Sequence, residues 1–298
     1  MSSPTRRDFL KTTTLAGLAG VSSNWFGSAW AAEKDKPRQM RYGLVTYMWG
    51  AKWDLPTLIA NCESADVHGV ELRSTHAHKV EPELSKAERK EVKKRFDDSS
   101  VTHVGIGSNE RFDNPDPAVV KKAIEASKAY IHLSQDTGGS GVKVKPDRFY
   151  PDVPREKTIE QIGKALNVLG KYGADYNQQI RLEVHGQCRE LPTIRKILDV
   201  ADHPNVAICW NSNPADLEGA GLEKNFEMVA DRWGETCHIH RLDDSSYPWE
   251  KLFRLLHGIN YGGWMLLEEG RVPKDPAAEL KTQRKLFDEL LAATAPKK

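Results

Sequence analysis

Residues 180–186 have the sequence Ile-Arg-Leu-Glu-Val-His-Gly, which is typical of a short buried strand that ends in polar groups. A carboxylate at the end of an apolar strand is costly to bury unless it is paired or binds a cation. In parallel α/β proteins, ligands lie at the carboxyl ends of the strands. We therefore predict that Glu183 is a metal ligand at one end of a parallel sheet.

Apolar, strand-like segments alternate with helix-like segments eight times along the rest of the chain. The predicted strands are residues 42–47, 69–72, 101–106, 142–145, 180–184, 206–210, 236–240 and 264–267. The predicted helices are residues 54–66 (with Asp54 as N-cap), 85–97, a segment after Pro115, and 156–172, 191–200, 222–232, 249–257 and 276–293. Residues 130–133 are a further strand candidate, and residues 136–141 form a predicted glycine-rich loop. This alternation predicts an α/β fold, a single-domain (β/α)8 TIM barrel.

The N-terminus has the three parts of an export signal. Arg6-Arg7 begins a twin-arginine pattern, an apolar run covers residues 12–21, and Ala29-Trp30-Ala31 is a small-residue cleavage site. The apolar run is shorter than the ~20 residues that span a bilayer, so we expect no stable membrane insertion. We predict that residues 1–31 are a signal peptide recognised by the Tat export machinery and removed near Ala31. Residues 32–298 would then form a periplasmic domain.

Charge and cysteine content narrow the function further. The chain has 43 Lys+Arg and 42 Asp+Glu, a balance that gives no basic field for nucleic acid, so we expect no nucleic-acid partner. An even number of four cysteines permits disulfides in an oxidising compartment. However, the sequence has no CxxC pair, and two of the cysteines lie in predicted strands, where a buried free thiol is commoner. The sequence does not determine the oligomeric state and is compatible with a homo-oligomer.

Polar side chains follow most of the predicted strands, and a barrel would bring them to one rim. The second strand is followed by Glu71, Arg73, His76 and His78, the fourth contains Lys143 and Lys145, and Glu183 and His185 end the fifth. Asn211 and Asn213 follow the sixth, His238 and His240 end the seventh, and Glu268, Glu269 and Arg271 follow the eighth. Such a mixed set of oxygen and nitrogen donors suits Mn²⁺ or Mg²⁺ better than a structural zinc site, which favours thiolates. Lys143 and Lys145 also fit a solvated hairpin.

With these motifs, the chain resembles the xylose isomerase-like barrels, the sugar phosphate isomerase/epimerase group that also includes inosose dehydratases and a type IV endonuclease. The resemblance covers essentially the whole mature chain. It implies one metal ligand at the end of each of the last four strands, typically Glu, Asp, His and Glu. The segment LEVHG supplies Glu183, HIHRLD supplies His240, and GGWMLLEEG supplies Glu268. The sixth strand departs from the family, because Asn211 stands where the family has Asp.

The resemblance implies a reaction as well. A divalent metal ion, Mn²⁺ by preference with Mg²⁺, Co²⁺ or Zn²⁺ as alternatives, holds adjacent oxygens of a sugar. Glu183 and Glu268 act both as ligands and as acid and base, and a proton next to the carbonyl leaves through an enediolate. His185 is a third candidate catalytic residue, and Asn211 is the fourth candidate metal ligand. Candidate substrate-binding residues are Glu71, Arg73, His76, Lys145, Asn213 and Arg271.

The leading hypothesis is a divalent-metal-dependent sugar isomerase or epimerase acting on a small, non-phosphorylated carbohydrate, since export disfavours a phosphorylated intermediate. One alternative is a lyase or hydratase acting on a keto-sugar, a keto-glycoside or an inosose. An alternative of another class is a barrel that binds carbohydrate without catalysis, because Asn211 replaces a carboxylate ligand. The endonuclease activity of the family is disfavoured by the net charge and by an incomplete set of histidine ligands.

Overall fold

A computed structural model describes residues 38–296 as a closed barrel of eight parallel strands, paired in the order of the sequence. The strands are β1 Arg41–Met48, β2 Gly69–Arg73, β3 Thr102–Arg111, β4 Gly141–Lys145, β5 Gln179–Glu183, β6 Val206–Asn211, β7 Trp233–Ile239 and β8 Trp264–Glu269. Pairing between β1 and β8, for example Gly43 with Leu266, closes the barrel. The predicted (β/α)8 TIM barrel is confirmed. The predicted signal peptide lies outside the described residues.

One long helix precedes each of β2 to β8, and another follows β8. These are α1 Leu55–Ser64, α2 Lys86–Asp97, α3 Pro117–Thr137, α4 Arg155–Ala174, α5 Leu191–Val200, α6 Gly221–Val229, α7 Trp249–Gly258 and α8 Pro276–Thr294. Asp54 caps α1 as predicted, accepting a hydrogen bond from Thr57 N at 2.9 Å. Within residues 38–296, no helix is long and apolar enough to cross a membrane.

Residues 130–133, predicted as a candidate strand, lie within α3, so that prediction is wrong. The buried positions of α3 include Val120, Ala123, Ser127, Ile131 and Ser134, which recur at the three- and four-residue spacing of one helix face. Residues 136 and 137 continue the helix, and only residues 138–140 separate it from β4. Gly138 ends the helix in the left-handed conformation (φ 91°), which costs glycine little.

The interior of the barrel holds an apolar cluster, the buried Arg181, which pairs with Glu235, and polar groups at the carboxyl end. Val45, Val104, Trp264 and Leu266 form a separate buried cluster. Because side chains alternate along a strand, Glu268 of β8 lies on the same face as Trp264 and Leu266, at the carboxyl end of the strand. Charged residues therefore occupy the carboxyl end of the barrel, where ligands bind in this fold.

All four cysteines are buried free thiols, as the sequence favoured: Cys62, Cys188, Cys209 and Cys237. Burial raises the pKa of the Cys62 thiol to about 12, so this thiol is protonated at neutral pH.

Candidate active site

Three buried side chains from different strands meet at the carboxyl end of the barrel. Glu183 ends β5, His238 lies near the end of β7, and Glu268 lies near the end of β8. One ligand atom of each lies within 4.8 Å of the other two. His238 Nδ1 is 3.2 Å from Glu268 Oε2 and 3.7 Å from Glu183 Oε1. An imidazole thus lies between two carboxylates.

Further buried polar groups surround these three residues. Lys143 Nζ lies 2.8 Å from Glu183 Oε2, and both side chains are almost fully buried, with exposures of 0% and 1%. Asn211 Nδ2 donates a hydrogen bond to Glu183 Oε1 at 3.0 Å. On the other side of the imidazole, His238 Nε2 donates to Glu71 Oε1 at 3.2 Å. Each charged group in this network therefore has a partner of opposite charge.

These contacts set the charge states. Burial alone would raise the pKa of Glu183, but the Lys143 ammonium and His238 outweigh it and hold that pKa well below the usual range. Burial acts in the same direction on Glu268, and His238 again outweighs it, so the pKa of Glu268 is lowered. Burial would lower the pKa of Lys143, but Glu183, Glu268 and Glu71 raise it. Both carboxylates are therefore ionised at neutral pH.

The donor set fits a divalent cation. Two carboxylates and an imidazole supply the mixed oxygen and nitrogen ligands that such ions take in proteins. Asn211 Oδ1 is buried without a hydrogen-bond partner, an expensive state that a cation would relieve. Lys143 is unusual at a metal site, because its ammonium group already pairs with one oxygen of the proposed ligand Glu183.

His240, the predicted histidine ligand, lies beside the group of three. His240 follows the last residue of β7, Ile239, and its ring turns toward β8. There His240 Nδ1 donates to the backbone oxygen of Glu268 at 2.9 Å, and His240 N donates to Ser212 Oγ at 3.1 Å. His240 is not one of the three grouped residues. His238, two residues earlier and on the same face of the strand, is the histidine of that group. The contact of His240 with the backbone oxygen uses Nδ1 and not Nε2, so ligation by His240 stays a prediction.

The predicted substrate-binding residues separate into two sets, and the first lies in β2 and the loop after it. Glu71 is fully buried against His238, below the rim rather than on it. Thr46 Oγ1 donates to His76 Nδ1 at 2.9 Å and accepts from Arg73 N, which joins the loop after β2 to β1. The Arg73 guanidinium lies 4.8 Å from the centroid of the Tyr47 ring.

The second set lies beyond β4, β6 and β8. Lys145 is half-buried, and burial together with the nearby Lys143 lowers its pKa. Asn213 Nδ2 donates to the backbone oxygens of Val184 and Asn211, both at 2.9 Å, so this side chain organises its loop. Arg271 is exposed, and its backbone oxygen accepts from Trp49 Nε1.

His185 does not join the buried group, although it follows Glu183 by two residues. Its Nδ1 donates to Asp147 Oδ1 at 2.7 Å, and its side chain is 37% exposed in a surface cleft. Asp147 is a residue that sequence reasoning missed, because nothing in Pro146-Asp147 predicts a contact with a loop 38 residues away. Lys143 did carry a signal: it alternates with valines in a strand buried on both faces.

Comparison with known proteins agrees with this architecture. The sequence profile of the xylose isomerase-like TIM barrel family matches residues 59–290. A search of curated protein sequences finds no match.

Solved structures with the same fold include two sugar epimerases and the IolI protein. L-ribulose 3-epimerase has a TM-score of 0.73 and 16% identity, covering 86% of this chain and 96% of that one. The 3-keto-D-glucoside 4-epimerase YcjR from E. coli, in its apo form, has a TM-score of 0.71 and 15% identity, covering 84% and 100%. The IolI protein with a bound zinc atom has a TM-score of 0.71 and 15% identity, and the match covers 87% of this chain and 100% of that one. At these identities, the likeness shows the fold.

Proposed function

This chain belongs to the xylose isomerase-like TIM barrel family, and on that basis we propose that it is a sugar isomerase or epimerase that moves a proton next to a carbonyl group. The observation that carries the proposal is the buried pair Glu183 and Glu268, placed on either side of His238 with ligand atoms within 4.8 Å of one another. Two of the similar structures are sugar epimerases, which supports the same class of reaction.

The two carboxylates suit the two halves of a proton transfer. One ionised carboxylate takes the proton from the carbon next to the carbonyl, and the electron pair of the broken C–H bond forms the C=C bond of an enediolate. The carbonyl oxygen then carries the negative charge. The other carboxyl group, which has taken a proton from solvent, returns it to the opposite face of the same carbon to give an epimer, and the first carboxyl group releases its proton to solvent. Return of the proton to the neighbouring carbon, with transfer of the hydroxyl proton of that carbon to the former carbonyl oxygen, gives an isomer.

Cationic groups near the two carboxylates offset the charge that develops. Lys143 is fixed 2.8 Å from Glu183, and its ammonium group needs no reorganisation as the substrate oxygen becomes negative. Glu183, His238 and Glu268 would hold a divalent cation, with Asn211 Oδ1 as a fourth donor. When bound, such a cation, which we propose to be Mn²⁺, would polarise the carbonyl and hydroxyl oxygens of the sugar.

The location of the reaction is part of the proposal. The twin-arginine pattern, apolar run and cleavage site of residues 1–31 support export through the Tat pathway and a periplasmic mature protein. A free sugar or sugar derivative is then the expected substrate.

Hydrogen exchange tests the proposal. Protein loaded with Mn²⁺ is incubated in D₂O with a panel of ketoses and 3-keto sugars, and deuterium at the carbon next to the carbonyl is followed by NMR. We expect exchange with the carbon skeleton retained. Glu268→Gln should abolish it, whereas the matched neighbour Glu269→Gln, whose carboxylate accepts from Arg271 N outside the buried group, should retain it.

Other outcomes would replace the proposal. Loss of a substituent from the sugar would identify a lyase. No exchange with any substrate, despite bound metal, would contradict the proposed reaction and favour a barrel that binds carbohydrate without catalysis. Full exchange by Glu268→Gln would refute the role given to that carboxylate.

A further inference from the structure

The surface cleft beside His185 opens next to the proposed active site, at the same end of the barrel. Its volume is about 490 Å³, which falls within the range of small-molecule pockets, about 300–1,000 Å³. The loops after β4, β5 and β6 line it with polar side chains: Asp147, Arg148, His185, Arg189, Glu190 and Glu218. Because His185 lies two residues beyond Glu183, the cleft begins where the proposed catalytic groups end.

The wall between β4 and β5 is held in one arrangement. Asp147 has a left-handed backbone (φ 61°), which is uncommon for a residue with a side chain. Its backbone oxygen accepts from Gln187 N at 2.7 Å, and its carboxylate pairs with His185 and with Arg111. Gly186 (φ 67°) packs so closely that a Cβ there would collide with the backbone of Asp147. These cross-links and the close packing hold this wall of the cleft in one conformation.

The charges that line the cleft favour an uncharged ligand. Arg148 and Arg189 are the two cationic side chains, and Glu190 and Glu218 are two carboxylates on the same surface. The carboxylate of Asp147 is already paired with Arg111. A phosphate or carboxylate ligand would therefore meet both attraction and repulsion, whereas a ring of hydroxyl groups finds donors and acceptors on every side.

We propose that this cleft binds a second sugar ring, so that the substrate is a keto-glycoside such as a keto-disaccharide rather than a free keto-sugar. In this arrangement the oxidised ring lies over Glu183 and Glu268, and the glycosidically linked ring lies against Arg189 and Glu218. The substrate class rests on the proposed function, but the cleft makes its own prediction, which is affinity for an uncharged disaccharide.

Two measurements test the cleft. Titration calorimetry compares glucose with the unoxidised disaccharides maltose and cellobiose, which probe binding without reaction. Deuterium exchange then compares 3-keto-glucose with α- and β-linked 3-keto-disaccharides. Because a few hydrogen bonds to the second ring together amount to a factor of about ten or more, we expect at least one disaccharide to exceed the monosaccharide tenfold in both affinity and kcat/KM.

Variants assign that preference to the cleft. Arg189→Ala removes a donor and Glu218→Trp fills space, and both residues are exposed, so neither change disturbs the core. Each should lower the ratio of disaccharide to monosaccharide kcat/KM about tenfold. Arg254→Ala is the matched control, since this exposed arginine lies on α7 and pairs with Glu250.

The outcomes separate the two proposals. Equal affinity for disaccharide and monosaccharide would contradict the proposal that the cleft binds a second sugar ring. A preference for disaccharide that persists in both variants would contradict it too. Disaccharide binding that depends on Arg189 and Glu218 without exchange on any substrate supports the cleft and contradicts the proposed reaction. Exchange on free keto-glucose alone supports the reaction and overturns the cleft.

Discussion

Replacing Lys143 by methionine should reveal whether this lysine and a divalent cation compete for the same carboxylate. Lys143 Nζ lies 2.8 Å from Glu183 Oε2 inside the barrel, and Lys143 Nζ also donates to the backbone oxygen of Ser108 at 3.3 Å. Removing one partner of a buried ion pair costs about 3–5 kcal/mol, because the other charge stays buried without compensation. Without metal, we therefore expect the free energy of unfolding to fall by about that amount.

The affinity for metal should increase in the Lys143→Met variant, whereas its stability without metal decreases. The ammonium group repels a cation at Glu183, so its loss should tighten the dissociation constant for Mn²⁺ by about tenfold or more, equivalent to about 1.4 kcal/mol for each factor of ten. Saturating metal should then recover part of the lost stability, since a ligand that binds only the native state stabilises it in proportion to the logarithm of its affinity.

Urea denaturation in EDTA and in excess Mn²⁺, together with calorimetric titration of Mn²⁺, measures both effects. Lys145→Met is the matched control, because Lys145 lies two residues further along β4, is half-buried, and has no ion pair among residues 38–296. Weaker Mn²⁺ binding by Lys143→Met would show that the lysine organises the site rather than competing for it. Unchanged stability in EDTA would refute the argument from charge balance.

Three further predictions follow from the contacts of the site and its loops. His238→Gln should weaken Mn²⁺ binding at least about tenfold in the same calorimetric titration, and His240→Gln should have a small effect. A large effect of His240→Gln with a small effect of His238→Gln would identify His240 as the ligand. Asn211→Asp should tighten Mn²⁺ binding, and unchanged or weaker affinity would count against Asn211 as a ligand position. Burial raises the pKa of Asp216 to about 8, above its unfolded value of about 3.9, so the stability that its neutral form contributes is present at low pH and is lost as the pH rises toward 8. Asp216→Asn should reduce the loss of unfolding free energy between pH 5 and pH 8, measured by urea denaturation. An equally steep loss in the variant would contradict the raised pKa of Asp216.

The sequence was sufficient to predict the fold because each element carried a local signal. The cap at Asp54 begins α1, and the helix predicted for residues 191–200 matches α5 at both ends. The exception, residues 130–133, shows the limit of such signals. The two buried apolar residues among these four, Ile131 and Leu133, alternate as in a strand, and only the length of the surrounding helical pattern identifies the helix.

The site was harder to predict, because its contacts join strands that are distant in sequence. Alternation puts His238 and His240 on the same face of β7, and the choice between them depends on where the strand ends, at Ile239. The ion pair of Lys143 with Glu183 and the hydrogen bond of Asp147 with His185 depend on how neighbouring strands and loops meet. Sequence periodicity does not indicate which side chains of neighbouring strands and loops contact each other, so neither contact could be predicted from it.

The charge of the buried network explains why asparagine suits position 211. From sequence, the two glutamates and a divalent cation cancel. The structure adds Glu71 and Lys143, which also cancel each other, so the site stays neutral with the cation bound and His238 neutral. Without the cation, a protonated His238 leaves the network with a net charge of −1. An aspartate at position 211 would add a buried negative charge in both states, and burying an uncompensated charge is costly. A neutral carboxamide keeps the interior close to balance with or without metal, at the expense of one anionic ligand.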